Sequence, residues 1–128
     1  MNNVDIVLLM FGLITKHFIC DFLLQFKYQY SNKHIFGHPG GLLHAGIHVI
    51  GTTITASCIV PEQFMYILVL ASMEGILHYI IDFLKMNSNL IFNLTPDNSE
   101  AYWWLLGFDQ YLHYICYIGI ISAVVYIA

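Results

Sequence analysis

The sequence predicts an all-α protein, a four-helix transmembrane bundle, and three observations predict it. The 128 residues are 59% hydrophobic and only 9% charged, with a mean hydropathy of +0.70, whereas about a quarter of the residues of a soluble domain are charged. Four apolar stretches are long enough to cross a hydrocarbon core of about 30 Å, which takes ~20 helical residues. Each stretch carries two metal-capable side chains four residues apart: His17/Asp21, His44/His48, His78/Asp82 and Asp109/His113. That spacing puts both members of a pair on one helix face.

The first span, residues 4–26, lacks the basic flank and small-residue cleavage site of a secretory leader and contains His17 and Asp21, so it reads as a retained helix. The segment 27–41 is rich in Tyr, His, Gly and Pro and reads as a solvated connector. Its alternative is a lid in which His34 or His38 touches substrate. The second span, 42–60, stops at Pro61, because the residue before a proline avoids the helical region. Only Pro61-Glu62-Gln63 separates it from the third span, 64–86, so these two helices are antiparallel neighbours. Residues 90–94 form an apolar patch suited to the membrane interface, and the fourth span covers 102–127. Tyr28, Tyr30, Tyr102, Trp103 and Trp104 lie at span boundaries, where aromatic belts form. Residues 1–128 are thus expected to be a single integral membrane domain.

Lys27, Lys33 and Lys85 lie on the side shared by the first and third loops, against Asp5 and Glu62 on the other. The positive-inside rule makes those loops cytoplasmic and sets both termini outside. Asn93-Leu94-Thr95 matches a glycosylation sequon, which a cytoplasmic loop makes inert. The net charge is −4 without a single Arg, so nucleic acid is excluded as a partner. Three cysteines, at 20, 58 and 116, fall inside apolar segments and are odd in number, which argues against a disulfide framework.

His, Asp and Glu together number 15, and random placement would give about 1.7 pairs at spacing four. The chain has six, including Glu74/His78, which lengthens the third stripe, and His34/His38, which lies in a loop where the spacing carries no meaning. Counted from the cytoplasmic end of each span, Asp21, His44, Asp82 and Asp109 form one layer, and His17, His48, His78 and His113 lie one turn deeper. Three carboxylates in a low-dielectric interior are costly unless compensated. Two divalent cations, bridged by carboxylates about 3.5–4 Å apart, would compensate them, and a single ion is the alternative, the sequence not fixing the count. Imidazole with carboxylate suits Zn first, with Mn, Fe or Ni behind it.

A divalent ion in such a site lowers the pKa of water toward neutrality, so hydrolysis of a membrane-resident phosphoester or diphosphate lipid is the expected chemistry. Glu74 or Asp82 is the candidate base. Gln25 and Gln110 are candidates to orient a ligand or touch substrate, and Lys85 to grip an anionic headgroup, although a helix-end cation that sets topology is the simpler reading of Lys85. Lys16 points about 100° away from His17 and is expected to snorkel or to balance a carboxylate such as Glu74. Cys20 and Cys116 read as apolar filler, and Gly46, Gly51 and Gly75 as packing glycines.

The strings His17-x-x-x-Asp21-Phe22-x-x-Gln25, His44-x-x-x-His48, His78-x-x-x-Asp82-x-x-Lys85 and Asp109-Gln110-x-x-His113 resemble the domain of unknown function 3307 family of small bacterial and phage membrane proteins. That resemblance covers essentially the whole chain and implies an inner-membrane protein, without supplying an activity. A looser similarity to membrane-bound metal-dependent hydrolases rests on His17-x-x-x-Asp21 and a later helical His. Three other functions fit the same residues: a di-iron membrane oxidoreductase, an ion or proton transporter, and a phage interaction protein with a structural metal. Transport ranks lower, because the outer segments 6–11 and 123–128 offer no polar path.

The topology is checked by single-cysteine labelling in intact cells from a Cys-free background. Sites introduced at 31–38 and 93–98 are expected to resist an impermeant maleimide until the membrane is breached, and a site at residue 3 is expected to react at once.

Overall fold

The computed structural model describes residues 1–127; Ala128, the last residue of the outer segment 123–128, lies outside the described residues. Five α-helices form among the described residues: α1 (Asn3–Phe18), α2 (Lys27–Tyr30), α3 (Pro39–Ser57), α4 (Phe64–Ile91) and α5 (Glu100–Ile127). No strand occurs among the described residues.

Asn2 starts α1 by accepting the Val4 and Asp5 amides on its side chain, and the Asp5 carboxylate takes the Asn2 amide in return. This reciprocal cap satisfies donors that a helix start leaves orphaned. The helix then widens into a π turn over Ile19–Leu23, closed by Leu24 N donating to Ile19 O at 2.9 Å. Such turns insert a residue into a helix and are frequent at functional sites; this one carries Asp21. The short α2 and a turn with Gly37 at φ 75° lead to α3, capped by His38, whose Nδ1 accepts the Gly40 amide at 3.0 Å. His38 Nδ1 thus serves as the helix cap, and Pro39 at the first helical position supplies a pre-set φ.

The observed boundaries differ from the predicted spans in ways that have local causes. Helix α3 begins at Pro39 because His38 can cap it, and α4 continues through Ile91, taking in the first part of the patch 90–94 before Asn93, at φ 50°, ends it. Among the described residues three segments are long and apolar enough to cross a membrane: Asn3–Leu23, Pro61–Ile91 and Glu100–Ile127. Helix α3 is not among them, since two His, three Thr and four Gly dilute its hydropathy. At ~28 Å, by a rise of 1.5 Å per residue, its 19 residues are still close to a bilayer core in length.

Helices α1, α3, α4 and α5 pack in a closed ring, α1 on α3 and α5, and α4 on α3 and α5. Their outward faces are apolar, with Phe11, Ile54, Met73, Ile76 and Phe108 all more than half exposed. The interior is divided into two tiers. One end is filled by Leu9, Leu13, Val60, Ile67, Tyr117 and Val124. The other holds the buried ionisable residues.

Glycines set the closest approaches. A Cβ on Gly75 would overlap Val49 of α3, and one on Gly51 would crowd the Lys16 stem at 3.2 Å, so Gly51 lets that lysine cross α3 toward α4. Gly75→Leu is expected to pry α3 from α4 and cost about 1–3 kcal/mol, as overpacking does, read as an earlier midpoint in SDS unfolding followed by circular dichroism.

Candidate metal centre

All eight paired residues are buried, none more than 8% exposed. His17 comes from α1, Asp21 from the π turn, His44 and His48 from α3, His78 and Asp82 from α4, and Asp109 and His113 from α5. The helix stripes predicted from four-residue spacing therefore turn inward in every case. The rings of His17, His48, His78 and His113 cluster as one layer, with His48 and His78 stacked at 3.6 Å and His78 and His113 at 4.1 Å.

The tightest convergence surrounds one oxygen. Asp21 Oδ1 lies 2.9 Å from His48 Nε2, 3.1 Å from His44 Nε2 and 3.6 Å from His78 Nε2. His44 Nε2 and His78 Nε2 are also 3.0 Å apart, so without a cation one of them has to donate to the other. Three imidazole nitrogens and a carboxylate oxygen, all within 4.8 Å of one another, could hold a metal ion. A divalent cation engages all four lone pairs at once, which proton sharing does not. A second group, His78, Asp82 and His113, meets the same distance condition and shares His78 with the first. There His78 Nε2 is 3.3 Å from Asp82 Oδ2, and His113 Nε2 is 4.0 Å from Asp82 Oδ1 with no hydrogen-bond partner.

His17 and Asp109 fall outside both groups. Tyr117 OH donates to His17 Nδ1 at 2.8 Å, while His17 Nε2 donates to Gln110 Oε1 at 2.9 Å and lies 3.2 Å from Asp21 Oδ2. Gln110 Nε2 donates in turn to Asp109 Oδ2 at 3.1 Å. The chain Asp109–Gln110–His17–Asp21 thus holds the central carboxylate from behind, the kind of support that orients metal ligands. Gln25 reaches only the Asp21 backbone oxygen, at 2.7 Å. Lys85 lies 3.6 Å from Asp109.

Glu74 sits one turn beneath His78 and takes two donors, Lys16 Nζ at 3.1 Å and Thr52 Oγ1 at 2.9 Å. His48 Nδ1, the nitrogen opposite the one facing Asp21, lies 3.1 Å from the same Lys16 Nζ and 3.7 Å from Glu74 Oε1. Lys16 is fully enclosed, so it balances a carboxylate rather than snorkelling. Cys20 Sγ faces the Ile47 carbonyl at 4.0 Å, and neither Cys20 nor Cys116 joins a ligand group.

Three contributors escaped the sequence reading. Thr52 and Tyr117 follow His48 and His113 by four residues, so extending the stripes to hydroxyl side chains would have found them. Lys33 has no such signal. It reaches in from the turn before α3, is 7% exposed, and sets its Nζ 2.6 Å from Asp82 Oδ2. The turn is pinned on α4, where Tyr79 OH accepts the Gly37 amide at 2.6 Å and Asn87 Nδ2 donates to the His34 carbonyl at 3.1 Å.

Residues 8–128 match the family model described as a protein of unknown function, DUF3307, a stretch that includes every residue of the cluster. The chain belongs to that family. No curated protein and no solved structure matches it.

Removing one of the three imidazoles around Asp21 tests the first group. His48→Ala is expected to lower bound metal at least tenfold in protein purified without chelator, measured by mass spectrometry. His34→Ala, outside the cluster, should leave metal content unchanged.

Proposed function

We propose that this protein is a four-helix transmembrane bundle holding a divalent metal near the cytoplasmic leaflet, as a metal-dependent hydrolase of a lipid or lipid-linked phosphate or ester. The observation that carries the reading is the closure of His44, His48 and His78 around Asp21 inside a bundle whose outer faces are apolar. Imidazole and carboxylate donors fit Zn, with Mn or Fe as alternatives. A bound ion would act as a Lewis acid and bring water's pKa toward neutral where bulk water is scarce.

The chain's own groups supply the rest. Asp82, at the edge of the ligand set, is placed to take a proton from water, and Glu74 acts on His48 through Lys16, whose Nζ lies 3.1 Å from Glu74 Oε1 and 3.1 Å from His48 Nδ1. A cleft of about 200 Å³ opens between α4 and α5, walled by Ile81, Leu84, Leu105 and Phe108, with Lys85 and Asp109 at its polar end. Asp109 also lies 3.6 Å from His113 Nε2, so the cleft leads from the apolar face toward the cluster. An acyl or isoprenyl chain fits those walls, and an anionic headgroup fits Lys85.

The apolar tier of Leu9, Leu13, Ile67 and Val124 closes the opposite end and argues against a transport path across the membrane. One observation favours a purely structural ion: the first group supplies four donors, the number that closes a tetrahedral zinc site.

Incubating the metal-loaded protein with a panel of phospholipids and isoprenoid phosphates separates these readings. Release of phosphate or a headgroup is expected from at least one substrate and should fall at least 100-fold in Asp82→Asn, in the range general-base removal produces. Metal-replete, folded protein without turnover on any substrate would favour the structural ion, and an oxygen-dependent visible absorption band would favour a di-iron oxidoreductase.

A further inference from the structure

We infer that the centre is built for one divalent ion, held by Asp21, His44, His48 and His78, and that the Lys33 ammonium takes the position a second ion would need. This rests on reading the cluster as a metal centre, and it chooses between the one ion and the two ions that the sequence leaves open.

The carboxylates supply the first argument. Four lie buried in and under the cluster: Asp21, Glu74, Asp82 and Asp109. Three have a lysine of their own, Lys16 on Glu74 at 3.1 Å, Lys33 on Asp82 at 2.6 Å and Lys85 on Asp109 at 3.6 Å. These are three of only four lysines in the chain. Asp21 alone among the four has no lysine and faces only imidazoles.

With metal-binding imidazoles neutral, four carboxylates and three ammonium groups leave a single negative charge. One divalent ion turns that into a single positive charge, which one anionic group can neutralise. Two ions would leave three positive charges in a low-dielectric interior, where uncompensated charge is costly.

Geometry supplies the second argument. Both candidate groups draw on His78, whose Nε2 is the atom near Asp21 and near Asp82 alike. An imidazole nitrogen has one lone pair, so with His78 on the first ion a second would have to be held by Asp82 and His113, the members of the second group that the first leaves free. Lys33 Nζ also sits against Asp82 Oδ2, the oxygen nearest His78 and His44 and hence the one a second ion would take. The turn that carries Lys33 is held on α4 through Tyr79 and Asn87, so the ammonium is a built part of the cluster.

The test is the zinc content of purified, detergent-solubilised protein equilibrated with buffered Zn²⁺, counted by mass spectrometry against protein. Wild type is expected to hold one equivalent, Lys33→Met to double that to two, Asp82→Asn to keep one and Asp21→Asn to lose it. Circular dichroism checks that each variant is folded. Should Lys33→Met fail to fold, Asp82→Asn still decides, because a two-ion centre would lose an ion there. Two equivalents in wild type, or one in folded Lys33→Met, would overturn the inference and leave the metal-centre reading standing. No zinc in wild type would overturn both.

Discussion

The Asp21 carboxylate, enclosed by imidazole nitrogens from two other helices, is the interaction on which the arrangement depends. A buried carboxylate without a counter-charge is among the most costly groups a low-dielectric interior can hold. Every other buried acid of the cluster answers that cost with a lysine; Asp21 answers it only with His44, His48, His78 and the Nε2 of His17. Neutral imidazoles offer it hydrogen bonds but no charge. A cation at their meeting point removes the deficit and uses the donor set in full.

The fold is arranged around that requirement. The π turn after α1 delivers Asp21 where it reaches both His44 and His48, which lie a helical turn apart on α3. Small residues let the helices close on the cluster: Gly51 passes the Lys16 stem and Gly75 admits Val49. The apolar tier beneath it, from Leu9 to Val124, excludes water from that end, which strengthens each electrostatic contact above. Polar residues are thereby confined to one half of the ring, with a cleft between α4 and α5 leading toward them from the side.

Much of this was legible in the sequence, because a helix maps residue spacing directly onto direction. His44/His48, His78/Asp82 and Asp109/His113 at spacing four had to share a face, and packing turned each face inward. The expected layers blurred for a physical reason: an Asp borne on a widened turn does not keep the register of a straight helix, so Asp21 contacts imidazoles at two levels. Lys33 was illegible in its role. It follows no period, its position depends on how the turn before α3 folds back over α4, and in the sequence it looked like any cation marking a cytoplasmic loop. The second span, counted among four by the sequence, falls short of the other three in α3, since its own histidines, threonines and glycines make it less apolar than its neighbours. His17 kept its place in the ring layer but took up hydrogen bonds to Tyr117 and Gln110, partners that no single stripe could have named.

X-ray absorption at the zinc edge of the purified protein tests the central claim most directly. The account predicts a first shell of nitrogen and oxygen at ~2.0–2.1 Å, with the multiple-scattering pattern of three imidazoles. A shell of oxygen alone, or one containing sulfur, would contradict it.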